Sequence, residues 1–344
     1  MSANAAEGVV INGAFRPQRV TGQQRYATEI ADRLLARPGF RELRPEGRWA
    51  GSSTREWAWS LARLPLLARD ATIVSLTARA PIGVGQVLVV HDLFVLTHPE
   101  WYSRRYILTH APALRAQLRA AKAVVAVSEP VAEQVRARFD REVAVAPNAP
   151  SAVFTSGERV NEAVLDRLGV TKGRFLLTVG NLDPRKNLPA LAEAYGRLSA
   201  ATRARVPLVV VGGGAAIYRD ERIAWPAGMI SAGYVSDDDL VALYRGARAV
   251  VFPSLAEGFG LPLVEAAAAG AGGLVISDIP VFRWICGDGA IYIEPTSVES
   301  LSAGIARAID GEIPAISIEP GRFDWDASAA VVSEVSARAV EVRA

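Results

Sequence analysis

Two glutamates, Glu257 and Glu265, stand eight residues apart with Gly258, Phe259, Gly260, Leu261 and Pro262 between them. Val250–Ser254 reads as a buried strand ending at Pro253. Residues 262–269 read as a helix with Pro262 in its first turn and Gly270 past its end. An ionised Glu only accepts hydrogen bonds, which suits it to hydroxyl-rich ligands. A helix N-terminus opening from a glycine-containing loop offers N–H groups and partial positive charge, which suits phosphate. The segment predicts a site for an anion joined to a polyol. A helix start with Glu265 facing solvent is the plainer alternative.

A second cluster is cationic. Arg185 and Lys186 follow an apolar run ending Thr178-Val179-Gly180, at the carboxyl end of a predicted parallel strand, where such sheets bind ligands. A Lys point charge and an Arg fork neutralise a leaving diphosphate without a metal. The other reading of this loop is a capped helix start in which Asp183 pairs with Arg185. His91 ends the run Val87–Val90 and is one of three histidines, with His98 and His110. It either hydrogen-bonds a reacting sugar or is satisfied by a neighbouring backbone carbonyl. Asp237-Asp238-Asp239 has the look of a metal-binding carboxylate run. Ser236 before it and Leu240–Tyr244 after it make an N-cap with acidic first-turn residues instead, so no metal ligands are assigned.

These residues need a scaffold of strand ends. Short apolar runs alternate with helical patterns: residues 9–12, 71–75, 87–90, 123–127 and 143–146, then 175–179, 208–211, 249–252 and 273–276. Helices are predicted over 26–35 and 130–139. Uniformly apolar strands separated by helices signify parallel sheets buried on both faces. Pro147–Ser151 breaks the alternation and a polar stretch follows to Gly157. The expected architecture is α/β, two doubly wound Rossmann-like domains facing a cleft: residues 1–150, residues 151–327, and a last helix, 328–344. Gly212-Gly213-Gly214 at a strand end lacks the GxGxxG spacing of a dinucleotide fold and reads as a tight loop lining the ligand cleft.

The 344 residues are half hydrophobic, ample for two cores. Residues 1–150 hold 20 Lys+Arg against 13 Asp+Glu, and the remainder 18 against 23. Residues 103–122 carry Arg104, Arg105, Arg115, Arg119 and Lys122 among apolar residues, a basic amphipathic pattern suited to an anionic membrane surface. A domain helix with a solvated Arg face is the plainer reading. No nucleic-acid partner is expected. Cys286 is the sole cysteine, the N-terminus lacks a signal-peptide plan, and no apolar run reaches 18 residues. The expected setting is cytoplasmic, with the inner face of the plasma membrane as a place of peripheral attachment.

Six segments in order resemble the retaining family 4 glycosyltransferases. They are Thr21–Tyr26 (TGQQRY), Val89–Leu93 with His98–Tyr102 (VVHDL and HPEWY), Thr178–Leu188 (TVGNLDPRKNL), Gly233–Leu240 (GYVSDDDL), Glu257–Glu265 (EGFGLPLVE) and Ser277–Phe282 (SDIPVF). The resemblance runs from Thr21 to Pro295. It implies the GT-B fold and a metal-independent hexosyltransferase without a cofactor. Such an enzyme moves a hexose, mannose from GDP-mannose as first choice, from a nucleoside diphosphate sugar to a saccharide or lipid-linked saccharide in cell-surface polysaccharide assembly. By the same resemblance Glu265 holds the ribose. Glu257, with Gly258 and the Phe259-Gly260-Leu261 backbone, holds sugar hydroxyls and phosphate. Lys186 and Arg185 stabilise the diphosphate, and His91 lies next to the donor sugar. Gly22 and Gln23, expected in the loop after the first strand, approach the phosphates, while Gly212, Tyr234 and Val235 complete the donor site. The sequence departs from the family where many members have an Arg before the Asp-x-Pro portion of the loop. Here Gly180-Asn181 stands, which leaves Arg185 as the second cation. No lysine follows Lys186, which argues against a pyridoxal-phosphate glycan phosphorylase. A non-catalytic nucleotide-sugar-binding subunit is the alternative function.

Overall fold

The computed structural model describes residues 8–18, 21–158, 161–180, 183–212, 225–319 and 321–341. The chain divides into two compact units, one running to Asn148 and resuming at Phe323, the other spanning Ala149–Arg322. Each holds one six-stranded sheet in which every pairing is parallel.

In the first unit the strands are β1 (Val9–Asn12), β2 (Phe40–Leu43), β3 (Thr72–Ser75), β4 (Gln86–Val90), β5 (Ala123–Ala126) and β6 (Val143–Val145), in the order β2-β1-β3-β4-β5-β6. In the second they are β7 (Leu176–Val179), β8 (Leu208–Val211), β9 (Met229–Gly233), β10 (Ala249–Phe252), β11 (Leu274–Ser277) and β12 (Ile291–Ile293), in the order β12-β11-β10-β7-β8-β9. β1, β3, β4, β8, β10 and β11 are buried at every residue, as expected when helices cover both faces. Each Val, Leu or Ile buried this way contributes about 1.5–3 kcal/mol. The second core gathers Leu176, Leu208, Val210, Val251 and Val275 from the sheet and Leu191 and Ile305 from the helices that cover it.

Of the four edge strands, β2 and β9 have no fully buried residue. β2 reads Phe-Arg-Glu-Leu, without the apolar run that marks its neighbours, and sequence patterning passed over it together with β9 and the three-residue β12. The polar stretch after Pro150 is also more ordered than expected. Ala152–Thr155 makes a helical turn whose Phe154 is fully buried and packs edge-on against Tyr244 at 6.0 Å.

Each sheet reverses its winding beside its first strand, between β1 and β3 in one unit and between β7 and β10 in the other. The carboxyl ends flanking such a reversal form the crevice where doubly wound sheets take ligands. The last helix, Trp325–Glu341, begins three residues before the predicted start and packs in the first unit. Its Ser328 hydroxyl donates to the Pro147 carbonyl at 2.8 Å, and Lys122 Nζ donates to the Ala339 carbonyl at 2.9 Å. Among the described residues no helix is long and apolar enough to cross a membrane.

Candidate active site

At the β7/β10 reversal a pocket is lined by Thr178, Val179 and Gly180 from the end of β7, Val210 from β8, and Phe252, Pro253 and Ser254 from the end of β10, together with Lys186 and Leu188. Lys186 Nζ donates to Glu257 Oε1 at 2.6 Å. The Ser254 hydroxyl donates to the same oxygen at 2.8 Å. Both donors converge on Oε1, and Oε2 has no partner among the described residues. The carboxylate is therefore fixed at one oxygen and able to accept at the other.

Two residues absent from the sequence-based site complete this arrangement. Ser254 is 1% exposed and anchors Glu257 from three positions away. Gly180 lets the Lys186 stem lie against the end of β7, because a Cβ there would sit 3.2 Å from Lys186 Cγ and 3.4 Å from Cδ. The spacing Ser254-x-x-Glu257 was a readable signal, since a strand-end hydroxyl reaches three residues ahead. The Gly180 signal was not readable, because it depends on where a side chain from the next loop falls.

Glu257 leads into the helix Leu261–Ala269, with Gly260 at the N-cap, Pro262 in the first turn and Gly270 closing the far end in a left-handed conformation. Gly260 is required twice over. Its φ is +90°, and a Cβ would meet the Phe282 ring at 2.8 Å. Phe259 is buried and packs edge-on against Trp284 at 6.2 Å. Glu265 lies one turn further into the helix and is 6% exposed, which removes the solvent-facing alternative.

Arg185 and Lys186 divide their work. The Asp183 carboxylate caps the short helical turn by accepting from the Arg185 backbone N–H at 3.0 Å, and it also pairs with the Arg185 guanidinium, Nη2 to Oδ2 at 2.5 Å. Burial alone would raise the Asp183 pKa, but the Arg185 hydrogen bonds and charge, with Lys186 adding, hold it below the usual range. Arg185 is thus engaged as the second reading of this loop has it, while Lys186 faces the pocket.

Gly212 follows β8 with φ +142° and donates its N–H to the Gly233 carbonyl at 2.9 Å. This bond sets Gly212 beside Tyr234, which is 82% exposed, and the half-buried Val235. Gly213 and Gly214 lie outside the described residues. Asp237–Asp239 open the helix Asp237–Gly246: the Ser236 hydroxyl accepts from the Asp239 N–H at 3.1 Å, and Asp239 pairs with Arg167 at 2.8 Å.

The remaining predicted residues belong to the first unit. Gly22 and Gln23 are not in a loop. The helix begins at Gly22, four residues earlier than predicted, with Thr21 at the N-cap and its hydroxyl bonded to the Gln24 side chain. The Thr-x-x-Gln pattern that drives this early start resembles a capping box. Gly22 has an ordinary φ and open space where a Cβ would stand. Nothing inside the fold demands glycine there.

His91 follows β4. Its Nε2 lies 2.9 Å from the Leu76 carbonyl at the end of β3. A carbonyl only accepts, so Nε2 carries the proton and Nδ1 is left as an acceptor. Burial lowers the His91 pKa against the opposing pull of the Leu76 carbonyl and Asp92, which keeps the ring neutral at pH 7. The carbonyl-satisfied reading thus accounts for one ring nitrogen and leaves the other for a ligand.

The basic helix spans Arg104–Ala120, capped by Ser103 accepting from Tyr106 N–H at 3.3 Å. Ala111, Ala113, Gln117 and Leu118 face inward. Arg104, Arg105, Tyr106 and Leu108 in its first turns are exposed, Leu108 at 76%. Cys286 is buried, and burial pushes its thiol up to about 12, so it is no nucleophile.

Residues 164–320 match the family model for glycosyl transferases group 1. The chain is 30% identical over 240 residues to the O-antigen chain mannosyltransferase B of Escherichia coli, a match covering 66% of this chain and 61%, less than two thirds, of that relative. Its structure resembles a sucrose-phosphate synthase from Thermosynechococcus elongatus, with a TM-score of 0.67 at 16% identity over 98% and 94% of the two chains. It also resembles WaaG, a glycosyltransferase involved in lipopolysaccharide biosynthesis, with a TM-score of 0.65 at 17% identity over 97% and 99%. Two parallel six-stranded sheets, this likeness and the matched segment lead to one statement: the chain has the GT-B fold, and its residues 164–320 are similar to glycosyl transferases group 1.

Proposed function

We propose that the protein is a retaining hexosyltransferase that moves mannose from GDP-mannose to a saccharide acceptor, lipid-linked, in the assembly of a cell-surface polysaccharide. The observation that carries this reading is the Lys186–Glu257 pair at 2.6 Å, set at the sheet reversal beside a helix N-terminus. A cation for a leaving diphosphate, a carboxylate with one oxygen left to accept from hydroxyls, and a helix dipole favouring phosphate together match a nucleoside diphosphate sugar. Mannose and the polysaccharide context come from the mannosyltransferase relative.

In the proposed reaction the bond from the sugar's anomeric carbon to the diphosphate oxygen breaks and a bond to an acceptor hydroxyl oxygen forms on the same face. The hydroxyl proton passes to the departing phosphate, and configuration is retained. Lys186 neutralises charge that grows on the diphosphate, while Glu257, oriented by Ser254, accepts from sugar hydroxyls. Glu265 holds the ribose, and Gly212, Tyr234 and Val235 flank the nucleotide. Arg185 acts by fixing the loop through Asp183. His91 accepts from a sugar hydroxyl at Nδ1, and the backbone at Gly22 and Gln23 meets the phosphates. The same electrostatics serve without a metal, so transfer should persist in a chelator.

A thermal-shift panel of GDP-, UDP-, dTDP- and ADP-sugars, followed by donor hydrolysis without acceptor, tests this reading. A donor at 100 times its Kd stabilises by about 2.7 kcal/mol. GDP-mannose should give the largest shift and be hydrolysed slowly. Selective stabilisation by another donor would reassign the sugar nucleotide, and binding without hydrolysis or transfer would make the protein a binding subunit.

A further inference from the structure

His91 is held by more than its bond to Leu76. The Tyr26 ring meets it edge-on, with centroids 5.1 Å apart and planes at 87°. Tyr26 is fully buried and packs in turn against Trp325, at 5.9 Å and 66°. Trp325 is the first residue of the last helix. The three rings bring together the start of the first long helix, the end of β4 and the returning C-terminal segment, all inside one unit.

The polar ends of this column are not what holds it together. The Tyr26 hydroxyl and Trp325 Nε1 are buried without a hydrogen-bond partner among the described residues. An unpaired buried donor costs about 1–3 kcal/mol, so a hydrophobic residue of the same shape would be better tolerated here. Edge-to-face ring contacts fix orientation as well as burying area. Rotation of His91 about its side-chain bonds must break either the Leu76 hydrogen bond or the Tyr26 contact.

We infer that Tyr26 and Trp325 are positioning residues that hold the His91 ring in the orientation aiming Nδ1 at substrate, so that the C-terminal helix contributes to the transfer step without touching the sugar. This rests on the proposed role of His91. Displacement of such a group by about 1 Å costs on the order of 100-fold in rate.

The test uses the full-length protein with GDP-mannose as donor, comparing Tyr26→Phe, Tyr26→Leu and Trp325→Leu in wild-type and His91→Ala backgrounds. ¹⁵N-histidine NMR reports the His91 tautomer directly. Tyr26→Phe keeps the ring and should behave as wild type in rate and spectrum. Tyr26→Leu and Trp325→Leu should lower kcat about 10- to 100-fold at little-changed KM, with the single Nε2–H pattern of His91 giving way to mixed tautomers. Neither should lower the rate further in the His91→Ala background. An unchanged His91 spectrum in both leucine variants overturns the inference, as does an equal rate loss in both backgrounds. A leucine variant that fails to fold leaves the other to decide, and if both fail, Tyr26→Phe decides: a disturbed His91 spectrum there overturns the ring-only support. Should His91→Ala transfer normally, the catalytic reading of His91 fails while the NMR still reports whether these rings hold it.

Discussion

Lys186 and Glu257, 71 residues apart in sequence, share a hydrogen bond of 2.6 Å, and the Ser254 hydroxyl donates to the same carboxylate oxygen. Their side chains are 23% and 13% exposed, so the pair is shielded from solvent without being sealed from it. In the proposed reaction the diphosphate would meet a lysine already oriented by a carboxylate.

Lys186→Ala should therefore reduce transfer by about 10²–10³, the usual effect of deleting one donor aimed at developing negative charge. Its melting temperature should change little compared with the loss in rate, because Ser254 remains on Glu257. A variant within a few-fold of wild-type turnover would remove Lys186 from the diphosphate role.

Two glycines should respond in opposite ways. Gly22→Ala meets no atom within 4 Å and needs no unusual φ, so it should leave stability unchanged or raised, since alanine favours helix by about 1 kcal/mol over glycine in helix interiors. Activity should nonetheless fall, because a methyl group would occupy the space proposed for donor phosphate. Gly260→Ala combines φ +90° with a 2.8 Å clash and should lower the unfolding midpoint before any effect on substrate is considered. Full activity in Gly22→Ala would leave that glycine without a ligand role.

The contrast between these glycines marks what was legible in the sequence. Gly260 and Gly270 announced a helix by their positions around Pro262, and the fully buried strands announced themselves through unbroken Val, Leu and Ile runs. β2 and β9 did not, because Phe-Arg-Glu-Leu and Met-Ile-Ser-Ala-Gly, with no fully buried residue, carry no such run. The start of the helix was hidden by the glycine at its first position and revealed by the Thr21–Gln24 pairing. Candidate site residues were legible where residue type sufficed, and the structure pairs two of them, Lys186 and Glu257. It was left open where a contact decides between two readings, Asp183 engaging Arg185 and the Leu76 carbonyl engaging His91, and the Tyr26 contact with His91 was not legible at all. Those contacts join segments that sequence order keeps apart or that local propensity does not rank.

Acid should destabilise the protein through its histidines. Burial lowers the pKa of His91 and of His110, the latter with help from the Arg79 charge and against the Tyr106 carbonyl. The unfolded chain then binds protons that the folded one refuses. Stability from these groups is present above about pH 6.5 and is lost as pH falls from there towards the folded values. Urea midpoints measured between pH 5 and 8 should drop on the acid side, and His110→Gln should flatten part of that drop. An unchanged slope in that variant would exclude the stacked His110, which lies 3.7 Å from Tyr106 and 5.2 Å from Trp57.

The basic helix offers the last test. No acidic residue occurs from Trp101 to Ser128, a stretch that includes Arg104, Arg105, Arg115, Arg119 and Lys122. The inward face beyond His110 is committed to the core, so what remains for a membrane is the first two turns, where Leu108 is 76% and Tyr106 40% exposed beside Arg104 and Arg105. Anionic lipid attracts each such cation by about 1 kcal/mol near the surface, and the attraction is screened over about 8 Å at physiological ionic strength. Binding to vesicles containing phosphatidylglycerol should therefore exceed binding to neutral vesicles and fade as salt rises. Arg104→Glu with Arg105→Glu should abolish it, while Leu108→Ser should weaken it without changing the salt dependence, since it removes inserted apolar area rather than charge. Equal binding to neutral and anionic vesicles, or none to either, would make this an ordinary domain helix with a solvated arginine face.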